Sequence, residues 1–295
     1  MDARLITEKL RGRWHGTAGN APCPICQQDG RRDQNALSIK DGADGRLLLH
    51  CFRGKCNFVE ILAAAGLRPG DYTRPTAQEA ARQRVEATET AKAKAEAAAR
   101  VWASSVPMSG TLAERYLQSR AITGPWSGAL RFHPNALHDR STAFPCMVAR
   151  VEGVAATAVH RTFLDPAGNG KASATPAKKA LGSISGGAVR LRNGAGSLLV
   201  GEGIESTLSA AALIPEATSA VWAALSAPGM RSLVLPSEAG RLVIAVDIDA
   251  NGTGEAAANA LAARATSAGW RVAIARPAAA FNDFNDMARG ARNHG

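Results

Sequence analysis

The chain has 295 residues, of which 46% are hydrophobic and 20% charged, enough to bury a core and to form two or more domains. Its formal net charge of +10 favours a polyanionic partner, and above all a nucleic acid, because Lys and Arg side chains neutralise phosphate groups. The opening residues, MDARLITEKL, lack the apolar core of a signal peptide, and no apolar run approaches the ~18 residues of a membrane span. We therefore expect a cytoplasmic protein with no membrane partner.

Residues 1–72 are predicted to form a small metal-binding module. Cysteine pairs Cys23/Cys26 and Cys51/Cys56 flank the segments ALSIK and RLLLHC, which predict a β-hairpin that brings the pairs together. Four thiolates suit tetrahedral zinc, which can supply about 10–16 kcal/mol of folding free energy. Chance cysteines and redox chemistry are the alternatives, and His50 could replace one thiolate. The following NFVEILAAAGL predicts a short helix.

Residues 73–105 are rich in good helix formers but lack a sustained apolar stripe until Val101 and Trp102. This composition predicts a solvated helical linker.

Residues 106–192 are predicted to form a mixed α/β subdomain. TLAERYLQSRAI is amphipathic and helical, and FPCMVARVEG and VAATAVHRTFLD predict two strands around a turn, with Cys146 and His160 as core residues. The stretch GNGKASATPAKKALGSISGGAVRL is predicted to be rich in loops. Its basic character suits a phosphate backbone or a triphosphate, although a plain surface loop is an alternative. The candidate nucleic-acid or NTP ligands are Arg161, Lys171, Lys178, Lys179, Arg190 and Arg192.

Residues 193–295 alternate strands and helices, which predicts a doubly wound parallel sheet. In such sheets the functional crevice lies beyond the carboxyl ends of the strands. Acidic residues fall at or after three of the predicted strands: Glu202, Asp247, Asp249, Asp283 and Asp286.

The segment VIAVDIDANGTG places Asp247 and Asp249 two residues apart, on one side of an extended chain. At ~4 Å and an effective dielectric of about 20 their repulsion is roughly 4 kcal/mol. A divalent cation with oxygen ligands, magnesium or manganese, would compensate it. The alternative is a solvated surface turn around Asn251 and Gly252.

The motifs GEGIES, VDIDANGTG and DFND together resemble the Toprim domain of bacterial-type primases, type IA and II topoisomerases and several nucleases. A zinc ribbon, a basic segment and a Toprim domain in this order resemble bacterial replicative primases and, more closely, short primase-like proteins of phages and plasmids. The resemblance implies that Glu202, Asp247 and Asp249 bind the catalytic metals, and that Asp283 and Asp286 complete the metal or nucleotide site.

The chain departs from the replicative primases in two places. Ser206 stands where those proteins have a second acidic residue, and Glu205 lies one position earlier, so whether Glu205 joins the metal site is open. Cys26 stands where relatives often have histidine, which keeps a zinc site of the same kind.

The resemblance implies a DNA primase that makes short RNA primers from NTPs on a single-stranded DNA template during replication. A Toprim nuclease and a non-catalytic single-stranded-DNA-binding accessory protein are the alternatives. A topoisomerase is disfavoured because the only tyrosines, Tyr72 and Tyr116, lie outside any recognisable cleavage domain. No GxxxxGK[ST] phosphate loop is present, so a primase of this kind would work with a separate helicase.

Overall fold

The computed structural model describes residues 1–27, 35–42, 44–214, 219–249 and 252–293. The chain divides into two compact units, Met1–Ala93 and Lys94–Gly295. Among the described residues, no helix combines the length and the apolar character needed to cross a membrane.

The first unit is built on a four-stranded antiparallel sheet with the order β1-β2-β3-β4. The predicted hairpin is confirmed, since β3 and β4 pair from Leu37↔Cys51 to Asp41↔Leu47. The predicted short helix is also confirmed, and the Asn57 side chain caps it by accepting from the backbone N–H of Val59. The elements are α1 (Ala3–Lys9), β1 (Arg13–Trp14), β2 (Ala18–Ala21), β3 (Leu37–Asp41), β4 (Leu47–Cys51) and α2 (Phe58–Ala64).

The long helix α3 spans Ala77–Ala103, as the composition of residues 73–105 predicts. Most of its side chains are exposed, which agrees with the missing apolar stripe. Near its C-terminal end, Ala98 is fully buried and Val101 and Trp102 pack on the cluster that contains Val148 and Phe163.

The second unit contains a five-stranded antiparallel sheet with the order β5-β6-β7-β8-β9. The predicted helix and strand pair are confirmed as α4 and as β7 with β8, in a register that places Val148 opposite Arg161. Its elements are β5 (Val106–Pro107), α4 (Leu112–Ser119), β6 (Leu130–Leu137), β7 (Ala143–Val151), β8 (Ala158–Phe163) and β9 (Lys178–Leu181). Cys146 is fully buried, as predicted for a core residue.

The stretch predicted to be rich in loops also contains two short strands that the sequence did not predict. Lys178–Leu181 forms β9 against β8, and Val189–Arg192 forms β10 against β12. Each strand has only four residues among glycines and serines, and each is stabilised by a partner strand distant in sequence. Local composition therefore gives no signal for either strand.

The C-terminal sheet has the order β10-β12-β11-β13-β14, with four parallel strands and antiparallel β10 at one edge. This confirms the doubly wound parallel sheet. Its elements are β10 (Val189–Arg192), β11 (Ser197–Gly201), α5 (Ile204–Leu213), β12 (Ala220–Ala223), α6 (Ala227–Ser232), β13 (Arg241–Ala245), α7 (Thr253–Ser267), β14 (Arg271–Ala275) and α8 (Phe284–Asn293).

Apolar clusters cover both faces of this sheet, as a parallel sheet requires. Leu199 and Val243 belong to the cluster with Phe284 of α8, whereas the alternate residues Val200 and Ile244 belong to the cluster on the other face. The strands are therefore held rigidly, and their carboxyl ends form a fixed edge.

Candidate metal and nucleotide site

Four acidic side chains lie near one another at the carboxyl edge of the parallel sheet: Glu202, Asp247, Asp249 and Asp283. Glu202 follows β11, and Asp247 and Asp249 follow its neighbour β13. Asp283 precedes α8 and lies on the chain next to Asn282, whose carbonyl accepts from the N–H of Ile248 at 2.7 Å. Asp286 lies in the first turn of α8, where its N–H donates to Asp283 Oδ1 at 2.7 Å.

Burial and the repulsion from neighbouring carboxylates raise the pKa values of Asp247 and Glu202. Burial raises the pKa of Asp247 to about 6, and repulsion from Asp283 and Glu202 adds to the effect against the Ser206 hydrogen bond. Burial and then repulsion from Asp249 raise the pKa of Glu202. A cluster of this kind has more negative charge than its protein surroundings compensate.

The donor set fits a hydrated divalent cation better than one enclosed by protein. In the described ranges, no three carboxylates bring oxygens within 4.8 Å of one another; only the four cysteines form a group that close. Mg²⁺ keeps several water ligands and is usually bound through one or two carboxylates. Glu202, Asp247, Asp249 and Asp283 are therefore the residues that could hold such ions.

The loop after Asp247 is shaped by the start of α7. Asp249 accepts from the N–H groups of Thr253 and Gly254 at 2.7 and 3.1 Å, so its carboxylate also caps the helix. Gly252 has a φ of +68°, and a Cβ on Gly254 would collide with the Asp247 carbonyl oxygen. Asn251, part of the predicted turn, lies outside the described residues.

Glu205, which the sequence left open as a metal ligand, is buried and bound by other groups. It accepts from Tyr116 Oη at 2.6 Å and Lys178 Nζ at 3.0 Å, and Lys171 Nζ lies 3.9 Å away. Burial alone would raise the Glu205 pKa, but Lys178 and Lys171 outweigh it and lower that pKa to about 2.

Two polar partners at this site were missed by sequence reasoning. Ser206 Oγ donates to Asp247 Oδ1 at 2.6 Å, so the serine in the acidic position orients a carboxylate. Tyr116 reaches Glu205 across 89 positions of sequence, and no local signal could have predicted that pair.

Only part of the predicted basic set faces the carboxylates. Lys178 and Lys171 contact Glu205, and the charge of Lys178 opposes part of the rise in the pKa values of Asp247 and Glu202. Among the described residues of the predicted basic set, Lys178 is therefore the one whose charge acts on the candidate metal ligands.

The other predicted basic residues bind elsewhere in the fold. Arg161 Nη1 donates to the Leu137 carbonyl at 2.7 Å, and Lys179 Nζ donates to the His138 carbonyl at 2.8 Å. Because side chains alternate along a strand, Lys179 lies on the face of β9 opposite to Lys178. Arg190 and Arg192 lie on β10 of the other sheet.

Arg190 makes an ion pair of 3.6 Å with Glu152 and stacks over Trp222. His160 lies beside Arg161 on β8 and is buried as predicted, but its Nδ1 has no hydrogen-bond partner among the described atoms. Burial lowers the pKa of His160 to about 4. The six basic residues therefore do not form one continuous surface.

The first unit contains a group of four cysteines suited to zinc. The Sγ atoms of Cys23, Cys26, Cys51 and Cys56 all lie within 4.8 Å of one another, and those of Cys26 and Cys51 are 3.5 Å apart. Tetrahedral zinc with ~2.3 Å bonds requires about 3.8 Å between sulfurs. His50 is exposed and its ring lies against Phe52, outside this group.

The backbone supports a thiolate at Cys51. The N–H of Gly54 donates to Cys51 Sγ at 3.4 Å. Burial opposes ionisation, but the N–H groups of Cys56 and Gly54 outweigh it and lower the pKa of Cys51 to about 6. The donor chemistry therefore fits a structural zinc ion.

Comparison with known proteins identifies two regions of the chain. Residues 197–293 match the Toprim domain model, and residues 92–191 match a model described as a domain of unknown function, DUF7146. No curated protein matches the chain. Among solved structures, the chain is similar to the primase fragment of the bacteriophage T7 primase-helicase protein, with 16% identity, a TM-score of 0.32 and coverage of 96% of this chain and 97% of that one.

Proposed function

We propose, on the premise that residues 197–293 form a Toprim domain, that the chain is a DNA primase that joins NTPs into short RNA on a single-stranded DNA template. The observation that carries the proposal is the group Glu202, Asp247, Asp249 and Asp283 at the carboxyl edge of the sheet, with Lys178 beside it. A magnesium or manganese ion bound there would lower the pKa of the attacking hydroxyl and stabilise the charge that builds on phosphorus.

Each residue of the group has a role that follows from its contacts. Ser206 orients Asp247 through its 2.6 Å hydrogen bond. Asp249 fixes the loop by capping α7 while its exposed carboxylate faces solvent. Lys178 is positioned to bind phosphate oxygens, because its side chain is about one-third exposed and its charge acts on Asp247 and Glu202.

The first unit supplies features suited to the template. Phe52 is 64% exposed directly after Cys51, and Arg53 and Lys55 next to it are exposed as well. Single-stranded nucleic acids bind by stacking bases on aromatic rings while cations track the phosphates. We therefore assign template binding to this end of the zinc ribbon, and expect a separate helicase to be the replication partner.

A priming assay tests the proposal. The full chain is incubated with circular single-stranded DNA, labelled NTPs and magnesium or manganese, beside the double variant Asp247→Ala, Asp249→Ala. Glu238→Gln is the control, since Glu238 is an exposed acidic residue of the same domain. Short labelled oligoribonucleotides from the wild type and the control, and none from the double variant, are expected.

Two other outcomes contradict a primase. Nicked DNA without new RNA would assign the same carboxylates to a Toprim nuclease. Binding of single-stranded DNA with neither product would assign the chain to the accessory proteins.

A further inference from the structure

A cationic cavity of about 420 Å³ lies in the second unit, near the Glu205 network. Three cations from three different elements line it: Arg120 at the C-terminal end of α4, Lys171 in the loop before β9, and Arg289 on α8. Ser119 and the turn Gly168–Gly170 contribute to its wall. Among the described residues, no carboxylate lines the cavity.

The positive charge in this cavity is only partly balanced. Lys171 lies 3.9 Å from Glu205, but Glu205 is bound more closely by Lys178. Burial lowers the pKa of Lys171, and the charges of Lys178 and Arg120 lower it further against the effect of Glu205. Such crowding of like charges favours binding of an anion.

The backbone of Arg120 is held in place by a buried side chain of α8. Its carbonyl accepts from Asn285 Nδ2 at 2.6 Å, and Asn285 is fully buried. The Nε of Arg120 is itself buried and has no hydrogen-bond partner among the described atoms. Arg120 lines the cavity, and the planar donor fork of arginine matches the oxygens of phosphate as it does those of carboxylate.

We propose that Arg120, Lys171 and Arg289 form a binding site for phosphate groups of a nucleotide or a single-stranded nucleic acid. The site is linked to the carboxylates of the proposed function, because Lys171 and Lys178 both contact Glu205 and the charge of Lys178 acts on Asp247. The identity of its ligand rests on that proposed function. Arg120 and Arg289 lie outside the basic set predicted from the sequence.

Binding measurements with the metal removed test the site directly. Fluorescently labelled ATP and labelled oligothymidylate are titrated with the full chain in EDTA, for the wild type, Arg289→Ala and Arg289→Glu. Arg115→Glu is the matched control, because Arg115 is an exposed arginine of α4 that does not line the cavity. Circular dichroism confirms that each variant is folded.

The expected result is at least a tenfold rise in Kd for one or both probes with Arg289→Glu, a smaller rise with Arg289→Ala, and less than a twofold rise with Arg115→Glu. Loss confined to ATP identifies triphosphate as the ligand, and loss confined to oligothymidylate identifies the nucleic-acid backbone. Equal losses in the Arg289→Glu and Arg115→Glu variants, or no loss in either, would overturn the site.

The outcome is separable from that of the priming assay. Phosphate binding in EDTA needs neither the carboxylate-bound metal nor RNA synthesis. Binding that depends on Arg289 in a chain that makes no primers would therefore preserve the cavity site and reject the primase, and primer synthesis with unchanged binding in Arg289→Glu would do the reverse.

Discussion

Asp247 experiences two opposing influences, a hydrogen bond from Ser206 and the combined effect of burial and repulsion, and the second raises its pKa to about 6. An unfolded aspartate titrates near ~3.9, so the folded chain binds the extra proton between about pH 4 and 6. Because the folded state then binds more protons than the unfolded state, the free energy of unfolding falls as pH rises through this window. Asp247→Asn, which cannot ionise and keeps an acceptor oxygen, is expected to be more stable than the wild type at pH 7.5 by about 1–2 kcal/mol, after allowing for solvent screening.

Urea unfolding in EDTA at pH 4.0 and pH 7.5 measures this difference. The stabilisation of Asp247→Asn is expected at pH 7.5 and should vanish at pH 4.0, while the control Glu238→Gln stays close to the wild type at both. A gain of equal size at both pH values would attribute the effect to packing and not to charge.

Glu205 is the acidic residue on which the two lysines and Tyr116 converge, so removing its charge has a structural cost. Glu205→Gln keeps the shape but leaves Lys171 and Lys178 without their carboxylate. Since both lysines are about one-third exposed and can turn to solvent, we expect a loss of about 2 kcal/mol, below the cost of breaking a fully buried pair. Glu152→Gln, which removes the partly exposed pair with Arg190, is expected to cost less than about 1 kcal/mol.

Urea unfolding at pH 7.5 compares the two glutamate variants. Similar losses for Glu205→Gln and Glu152→Gln would contradict the central position of Glu205 in the network.

At the scale of elements, α7 and the end of β13 are joined by a close backbone approach at Gly254. A Cβ there would meet the Asp247 carbonyl oxygen, so Gly254→Ala must push α7 away from the strand. Although alanine is the better helix former by about 1 kcal/mol, overpacking of about 1–3 kcal/mol should prevail and destabilise the fold. Gly252→Asn is the comparison, because Asn tolerates a positive φ and nothing lies within 4 Å of that Cβ.

Thermal unfolding distinguishes the two glycine variants, and magnesium-dependent stabilisation reports on the carboxylate edge. Gly254→Ala is expected to lower Tm and to weaken the stabilisation by magnesium, with Gly252→Asn close to the wild type. A Gly254→Ala variant as stable as Gly252→Asn would show that the approach of α7 to β13 is not tight.

The cysteine hairpin is predicted to contain one zinc ion. Because Cys51 is buried, is supported by backbone N–H groups and lies 3.5 Å from Cys26, Cys51→Ser should abolish zinc binding. Cys146→Ser is the matched control, since Cys146 is a buried thiol outside the group. Elemental analysis of the purified full chain should give about one zinc for the wild type and Cys146→Ser and little for Cys51→Ser; equal content in both variants would reject the four-cysteine site.

The sequence predicts an element when the residues of that element carry a recognisable pattern themselves. The alternation of apolar strands and helices after residue 193 and the hairpin between the cysteine pairs are examples, and both are confirmed. Strands β9 and β10 were missed because they are stabilised by pairing with β8 and β12, which no local pattern reports.

The candidate site shows the same division. The acidic residues after β11 and β13 follow from the rule that functional groups gather at the carboxyl ends of parallel strands. The partners of Glu205 do not follow, because Tyr116 and Lys178 reach it from distant elements. Likewise, the chain's basic composition could not separate Lys178, which faces the carboxylates, from Arg161, which binds a backbone carbonyl on another part of the sheet.

At the scale of the whole molecule, the formal charge of +10 overstates the charge available to nucleic acid. Of the predicted basic set, Arg161 and Lys179 donate to backbone carbonyls, and Glu205 offsets part of the positive charge of Lys171 and Lys178. If about three phosphates are neutralised, the slope of log K against log[NaCl] for single-stranded DNA should be about −2, roughly a 16-fold loss of affinity from 50 to 200 mM salt. Ten phosphates would give a slope of about −7.

Stacking on the first unit should contribute separately from charge. Phe52→Ala removes an exposed ring and no charge, so it should weaken binding of labelled oligothymidylate by about 1–3 kcal/mol and leave the salt slope unchanged. Val59→Ala truncates an equally exposed aliphatic side chain of α2 and is expected to have little effect. Fluorescence anisotropy across a salt series measures both quantities for each variant. Parallel lines for the wild type and Phe52→Ala, with a loss confined to Phe52→Ala, support base stacking on this ring. Equal losses in both variants would mean that the ring has no special part in binding, and a slope near −7 would mean that affinity comes from charge spread over the whole surface.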